Sequence, residues 1–269
     1  MSSLRQLRPI LIGFSAAGIT YGGFYLLKEQ MRSKIGAEMS IPAQWTLLTK
    51  IFIHRGLDSH NPQEQLKWFE KAVHSLVGDG DVDLSQKGSA WLAGYSDLVR
   101  KIGIIQARMG VADALHPLTA ADTIPVGTNQ LIYDSRVELY RLTQDPNYLL
   151  KAISVYEPCE TLDAVKVPSS LQFNQSSAFL ELAQRLLDAK DYNAALGVYL
   201  QLHEALPTQH DSLCLRPTIA GFVGQILWKL NQKTDARNWL EMSERESNRS
   251  TAACRQCHQV AESLLAKTK

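Results

Sequence analysis

The sequence predicts an all-α protein: one N-terminal transmembrane helix followed by a solenoid of helical hairpins. Three observations carry this reading. Residues 9–27 hold no charged side chain and are flanked by Arg5, Arg8, Lys28 and Arg32. Beyond Gly36, apolar residues recur at helical spacing over helix-length stretches, with very few alternating, strand-like runs. Turn-forming residues then punctuate those stretches at short intervals, as consecutive helices that fold back on each other require.

Taken in order, residues 1–8 form a short basic N-terminus and residues 9–27 the transmembrane helix. As a helix that run is roughly 28 Å long, close to the ~30 Å of a hydrocarbon core. Gly13, Gly18, Gly22 and Gly23 dilute it, while Tyr21 and Tyr25 sit near its exit, where amphipathic rings prefer the interface. Residues 28–40 read as a linker. The helical body, residues 41–269, is predicted to contain helices over 42–55, 62–78, 88–109, 127–143, 146–157, 174–189, 191–206, 214–230, 233–247 and 250–267. Gly78-Asp79-Gly80, Pro125, Asp145-Pro146, Pro168, Pro207 and Asn231 fall between them.

Composition narrows the function. Hydrophobic residues make up 45% and charged residues 20%, a globular proportion. The net charge is +1, but residues 1–34 carry a local +4, so the positive charge sits beside the apolar run. No surplus remains for a nucleic-acid surface, and none is expected. Four cysteines are too few for a disulfide scaffold and fit a reducing compartment or one in which a single bridge forms.

The clearest unit spans residues 175–207. Phe179, Leu182, Ala183 and Leu186 share a face of a first helix, Asp191-Tyr192 makes the turn, and Ala195, Tyr199 and Leu202 face back from a second helix that Pro207 ends. Small residues at 183 and 195 matter because helices cross closely only where side chains are short. A second unit, residues 216–247, repeats this with Ala220, Val223, Gly224 and Leu227 against Ala236, Leu240 and Ser243. Residues 250–267 read as the cap helix that a repeat stack needs. Weaker copies show at Leu66, Phe69 and Ala72, at Trp91, Gly94, Tyr95 and Leu98, and at Tyr148, Ala152 and Tyr156.

These positions resemble the tetratricopeptide repeat, which alternates large apolar and small crossing positions over a period of about 34 residues. With the N-terminal apolar run, the layout resembles the fungal Mgr-type membrane-anchored adaptor of the mitochondrial i-AAA protease. That resemblance implies a single-pass protein of the mitochondrial inner membrane whose repeats, in the intermembrane space, present unfolded or membrane clients to the protease. The alternative from another class is a structural assembly factor for a mitochondrial membrane complex. The mitochondrial outer membrane is an alternative location, and the sequons at Asn174 and Asn248 keep an endomembrane one open.

The expected protein-binding groove runs along the first helices, with Leu180, Gln184 and Leu187 from one unit and Gln225, Trp228 and Lys229 from the next. Leucine, glutamine and tryptophan suit extended polypeptide better than a carboxylate clamp, which needs several cations. Cys254-Arg-Gln-Cys257-His258 matches the c-type haem attachment pattern. Its place inside a predicted helix favours a packed or redox-sensitive Cys254–Cys257 pair, with a haem or redox protein as the lesser alternative. Neither a cofactor nor a metal site is expected. The seven histidines do not cluster in sequence, and nucleophile-elbow, phosphate-loop, dinucleotide and HExxH patterns are missing, so an enzyme is not expected.

Overall fold

The computed structural model describes residues 38–78, 83–169, 171–206, 214–247 and 252–267. The expected transmembrane helix, residues 9–27, lies outside them. Among the described residues no helix is long and apolar enough to cross a membrane. They form eleven α-helices and no strand: α1 Leu47–Asp58, α2 Pro62–Val77, α3 Ser89–Arg108, α4 Leu115–Asp122, α5 Asn129–Thr143, α6 Pro146–Ile153, α7 Ser177–Asp188, α8 Tyr192–Ala205, α9 Leu215–Lys229, α10 Lys233–Glu246 and α11 Ala252–Lys267. The chain is therefore all-α. It divides into two compact units between Ser135 and Arg136, within α5.

Local chemistry sets four of the helix starts. The side chains of Thr46, Asn61, Asp145 and Asp191 each accept a backbone N–H from the first turn of α1, α2, α6 and α8. Pro62 and Pro146 follow directly, at positions where a missing N–H costs nothing. Three predicted helices differ most in their bounds: the first is shifted to Leu47–Asp58 from 42–55, α6 stops at Ile153 rather than 157, passing into turns up to Glu157, and α7 begins at Ser177 rather than 174. A helix that the periodicity did not predict, α4, is only 8 residues long.

In the N-terminal unit, α1 and α2 form a hairpin around Ile53, Phe69 and Ala72, all buried. The Phe69 ring lies on the backbone of Gly56, where a Cβ would come within 2.6 Å of it. Trp45 meets Trp91 edge-on at 6.2 Å, and Trp91 stacks on Tyr95 at 5.1 Å, closing the segment before α1 over α3. The centre of α3 is polar. Asp97 accepts hydrogen bonds from the backbone N–H of Ser40 and from both the N–H and the hydroxyl of Thr128. One turn on, Arg100 donates to the Ser96 hydroxyl and to the carbonyls of Ala121, Ile124 and Val126. Both side chains are at most 1% exposed. The end of α4 and the loop after it are thus clamped to α3 by a buried ion pair, and Gly127 threads past at φ 147°, where no side chain fits.

In the C-terminal unit α7 and α8 form one hairpin and α9 and α10 the next. Both hairpins turn the same way. Lys190 and Asn231 adopt left-handed backbone at φ 62° and 63°. Asp191 N–H donates to Leu186 and Gln232 N–H to Leu227, which closes a Schellman motif at each helix end. The helices cross at small residues, as expected: Ala183, Ala195 and Ala236 are fully buried, and a Cβ on Gly224 would come within 2.7 Å of Leu240. Between the hairpins, Tyr199 stacks on Phe222 at 5.3 Å. Burial, helped by the carboxylates of Asp188 and Glu181, pushes the Tyr199 phenol up to about 12. Helix α11 packs on α9 and α10.

One buried histidine links three of these helices. His203 of α8 sits edge-on to Trp239 of α10 at 4.9 Å, and Arg216 of α9 donates to its carbonyl at 2.6 Å. Burial, with the Arg216 charge second, lowers its pKa from 6.5 to about 4. Because the folded value lies below the unfolded one, protonation favours unfolding. The stabilisation is complete above about pH 6.5 and is lost as pH falls toward 4. The Glu246 carboxylate lies 3.9 Å from Nε2. Urea midpoints measured from pH 7 down to pH 4 should lose of order 2 kcal/mol more in the parent than in His203→Phe. Equal slopes would mean that His203 titrates normally.

Candidate protein-binding face

Helix α7 presents Leu180, Gln184 and Leu187 on one side, and α9 presents Gln225, Trp228 and Lys229. In both helices the neighbouring positions face the core: Phe179, Leu182 and Ala183 in α7, and Val223, Gly224 and Leu227 in α9, are all buried. The six expected residues stay outside it. Leu180, Leu187 and Gln225 are half-buried, while Gln184, Trp228 and Lys229 are exposed. Each helix packs on α8, so the two sets project from helices that share a support.

The polar members are not idle. Gln184 donates to Asp188 one turn along α7, at 2.9 Å. Trp228 is 36% exposed, and the Lys233 ammonium lies 5.5 Å from its ring centroid. Lys229 stands 6.0 Å from the ring of Tyr192, at the start of α8. Tyr192 and Lys233 thus extend the face with a second aromatic ring and a second cation. The sequence does hold a signal for both, since each opens the second helix of a hairpin and so lies beside the end of a first helix.

A cavity of about 700 Å³ lies elsewhere in the same unit. Its walls include Leu150 of α6, Leu162 of the following segment, Leu182, Arg185 and Leu186 of α7 and Val198 of α8. None of the six expected residues lines it. The segment that borders it is held down by Val167 N–H, which donates to the Gln201 side chain at 3.1 Å.

The candidate redox pair is corrected. Cys254 is disulfide-bonded to Cys214, 40 residues away, and not to Cys257. The Cα atoms are 5.4 Å apart, a spacing that suits a bridge. A sulfur engaged in a disulfide cannot form a haem thioether, so the Cys254-Arg-Gln-Cys257-His258 pattern is no haem attachment in this state. The pairing joins the start of α9 to α11. Sequence proximity favoured Cys257 because chain folding, which brings residue 214 next to residue 254, is invisible in the spacing of cysteines.

Comparison with family models, with curated proteins and with solved structures gives no match.

Proposed function

We propose that the chain is a non-enzymatic, membrane-anchored scaffold of tetratricopeptide type that binds polypeptide along the first helices of its hairpins. The carrying observation is that Leu180, Gln184, Leu187, Gln225, Trp228 and Lys229 stay solvent-accessible while the adjoining positions of the same helices are buried. Apolar and amide side chains there can cover an extended chain and bond its backbone, and Trp228 is the kind of aromatic that dominates such contacts. Residues 9–27 would hold the protein in the membrane. The Cys214–Cys254 bridge favours an oxidising compartment, which fits a domain in the mitochondrial intermembrane space. In that setting the resemblance to Mgr-type adaptors gives the partner: the i-AAA protease of the inner membrane, and the unfolded clients delivered to it.

A photo-crosslinking residue placed at Gln184 or Gln225 of the full-length protein, in isolated mitochondria, tests this reading. Crosslinks to the protease and to varied clients are expected from both positions, and none from Arg237 on the exposed side of α10. Trp228→Ala should weaken client capture roughly tenfold, the loss of an aromatic contact of about 1–2 kcal/mol. Crosslinks to one stoichiometric complex without protease would replace the adaptor by an assembly factor. Membrane association that survives deletion of residues 9–27 would remove the anchor.

A further inference from the structure

The geometry points to a zinc-type divalent-cation site at the junction of α10 and α11, formed by Glu244, His258 and Glu262. One ligand atom from each residue lies within 4.8 Å of the other two. Tetrahedral ligands at about 2.1 Å from a zinc ion stand about 3.4 Å apart. The three atoms therefore need to close by little more than an ångström. Glu262 is exposed and Glu244 half-buried, so both have the rotamer freedom for that movement.

The histidine is the fixed member. His258 is 7% exposed, and its Nδ1 lies 3.3 Å from the Glu244 carbonyl oxygen. In the tautomer that donates the Nδ1 proton to that oxygen, the Nε2 lone pair is turned to the Glu244 carboxylate, 4.0 Å away. A backbone carbonyl holding one imidazole nitrogen while the other takes a metal is the common arrangement at histidine metal sites. Glu262 follows His258 by four residues, one turn along the same face of α11. Cys254 precedes it by four, so the bridge to Cys214 pins the helix one turn away and Ala261 packs in the core.

Charge supplies the second argument. Two carboxylates converge on the imidazole, and among the described residues neither carboxylate is ion-paired with a lysine or arginine. Together the carboxylates carry −2, which a divalent cation neutralises. One nitrogen and two oxygens with no thiolate suit zinc, leaving a fourth position for water, whereas calcium and magnesium require more oxygen donors. The sequence hides the site because Glu244 belongs to the preceding helix and His258–Glu262 alone lacks a second ligand pair. Bound there, the ion would fasten the terminal helix to α10 beside the covalent tie.

Full-length protein in detergent, stripped of metal and carrying Cys159→Ser and Cys257→Ser to remove competing thiols, is titrated with zinc chloride by calorimetry. One zinc per chain is expected to bind in the low micromolar range or tighter, and to raise Tm. His258→Ala and Glu262→Gln should each weaken binding by at least ~10–100-fold and abolish the Tm rise. Because Glu262 is exposed, Glu262→Gln leaves packing intact, which an unchanged metal-free Tm will confirm. Absence of stoichiometric binding below about 100 µM zinc would overturn the site. So would binding that both substitutions leave unchanged, which would mean adventitious zinc only.

Discussion

Replacing Arg100 by methionine is expected to lower the unfolding free energy of the N-terminal unit by about 3–5 kcal/mol, the cost of breaking a buried, hydrogen-bonded ion pair from one side. The guanidinium serves three backbone carbonyls, those of Ala121, Ile124 and Val126, and the Ser96 hydroxyl. Methionine fills a similar volume, so the loss is polar rather than a cavity. Removing the cation leaves those acceptors dry and leaves the Asp97 carboxylate, fully buried, without its countercharge. Lys101 is the control on the same helix. Its contact with Glu38 is 2.9 Å but only partly buried, still open to solvent screening, so Lys101→Ala should cost about 1 kcal/mol or less. Urea denaturation of both variants measures the contrast. A double variant, Asp97→Asn with Arg100→Met, should cost clearly less than the two single changes added together, since each removes what the other leaves unpaired. An Arg100→Met cost no larger than that of Lys101→Ala would show that the network is replaceable.

That network also marks where sequence reading stops. The hairpins of the C-terminal unit are legible because each structural demand falls on a local residue type. Small residues sit at 183, 195, 224 and 236 where helices cross, and large apolar ones at Phe179, Leu182, Tyr199, Val223 and Leu240 fill the core. Asp191 announces a helix start, and Asn231 tolerates the left-handed turn. Helix α3 was also legible, from Trp91, Gly94 and Leu98, yet its buried face runs on through Ser96, Asp97 and Arg100, which a hydrophobic pattern scores as solvent-facing. Burial of those side chains is decided by partners 21 to 57 residues away, such as Ser40, Ala121 and Thr128. Helix α4 escaped for a related reason. It is short, carries Pro117 in its first turn, and depends on Leu118 packing against the backbone of Gly103 more than on its own periodicity. For the binding face, exposure of the six residues followed from the repeat register, whereas the lysine–aromatic contacts at Tyr192 and Lys233 required knowing which helix ends adjoin.

Reduction of the Cys214–Cys254 bridge should carry a cost comparable to the Arg100 substitution, but in the other unit. The two cysteines are 40 positions apart, and freeing a loop of that length returns chain entropy to the unfolded state worth about 4 kcal/mol. The bond also fastens α11 to the start of α9, and both half-cystines are almost fully buried, Cys214 at 2% and Cys254 at 0% exposure. Alanine rather than serine is therefore the replacement of choice, because a buried hydroxyl would add its own penalty. Cys214→Ala, Cys254→Ala and the reduced parent should show matching losses in urea midpoint, and reductant should have no further effect on either variant. Peptide mapping without reduction decides the pairing directly: a Cys214–Cys254 crosslink is expected. A Cys254–Cys257 crosslink would return α11 to the local pair that sequence proximity favoured, and would free Cys214. With the bridge in place, α11 is tied to α9 independently of its own packing, so the proposed binding face of Gln225, Trp228 and Lys229 should keep its geometry under load. Client crosslinking from Gln225 should accordingly fall on reduction, whereas crosslinking from Gln184, on α7 outside the tethered loop, should persist.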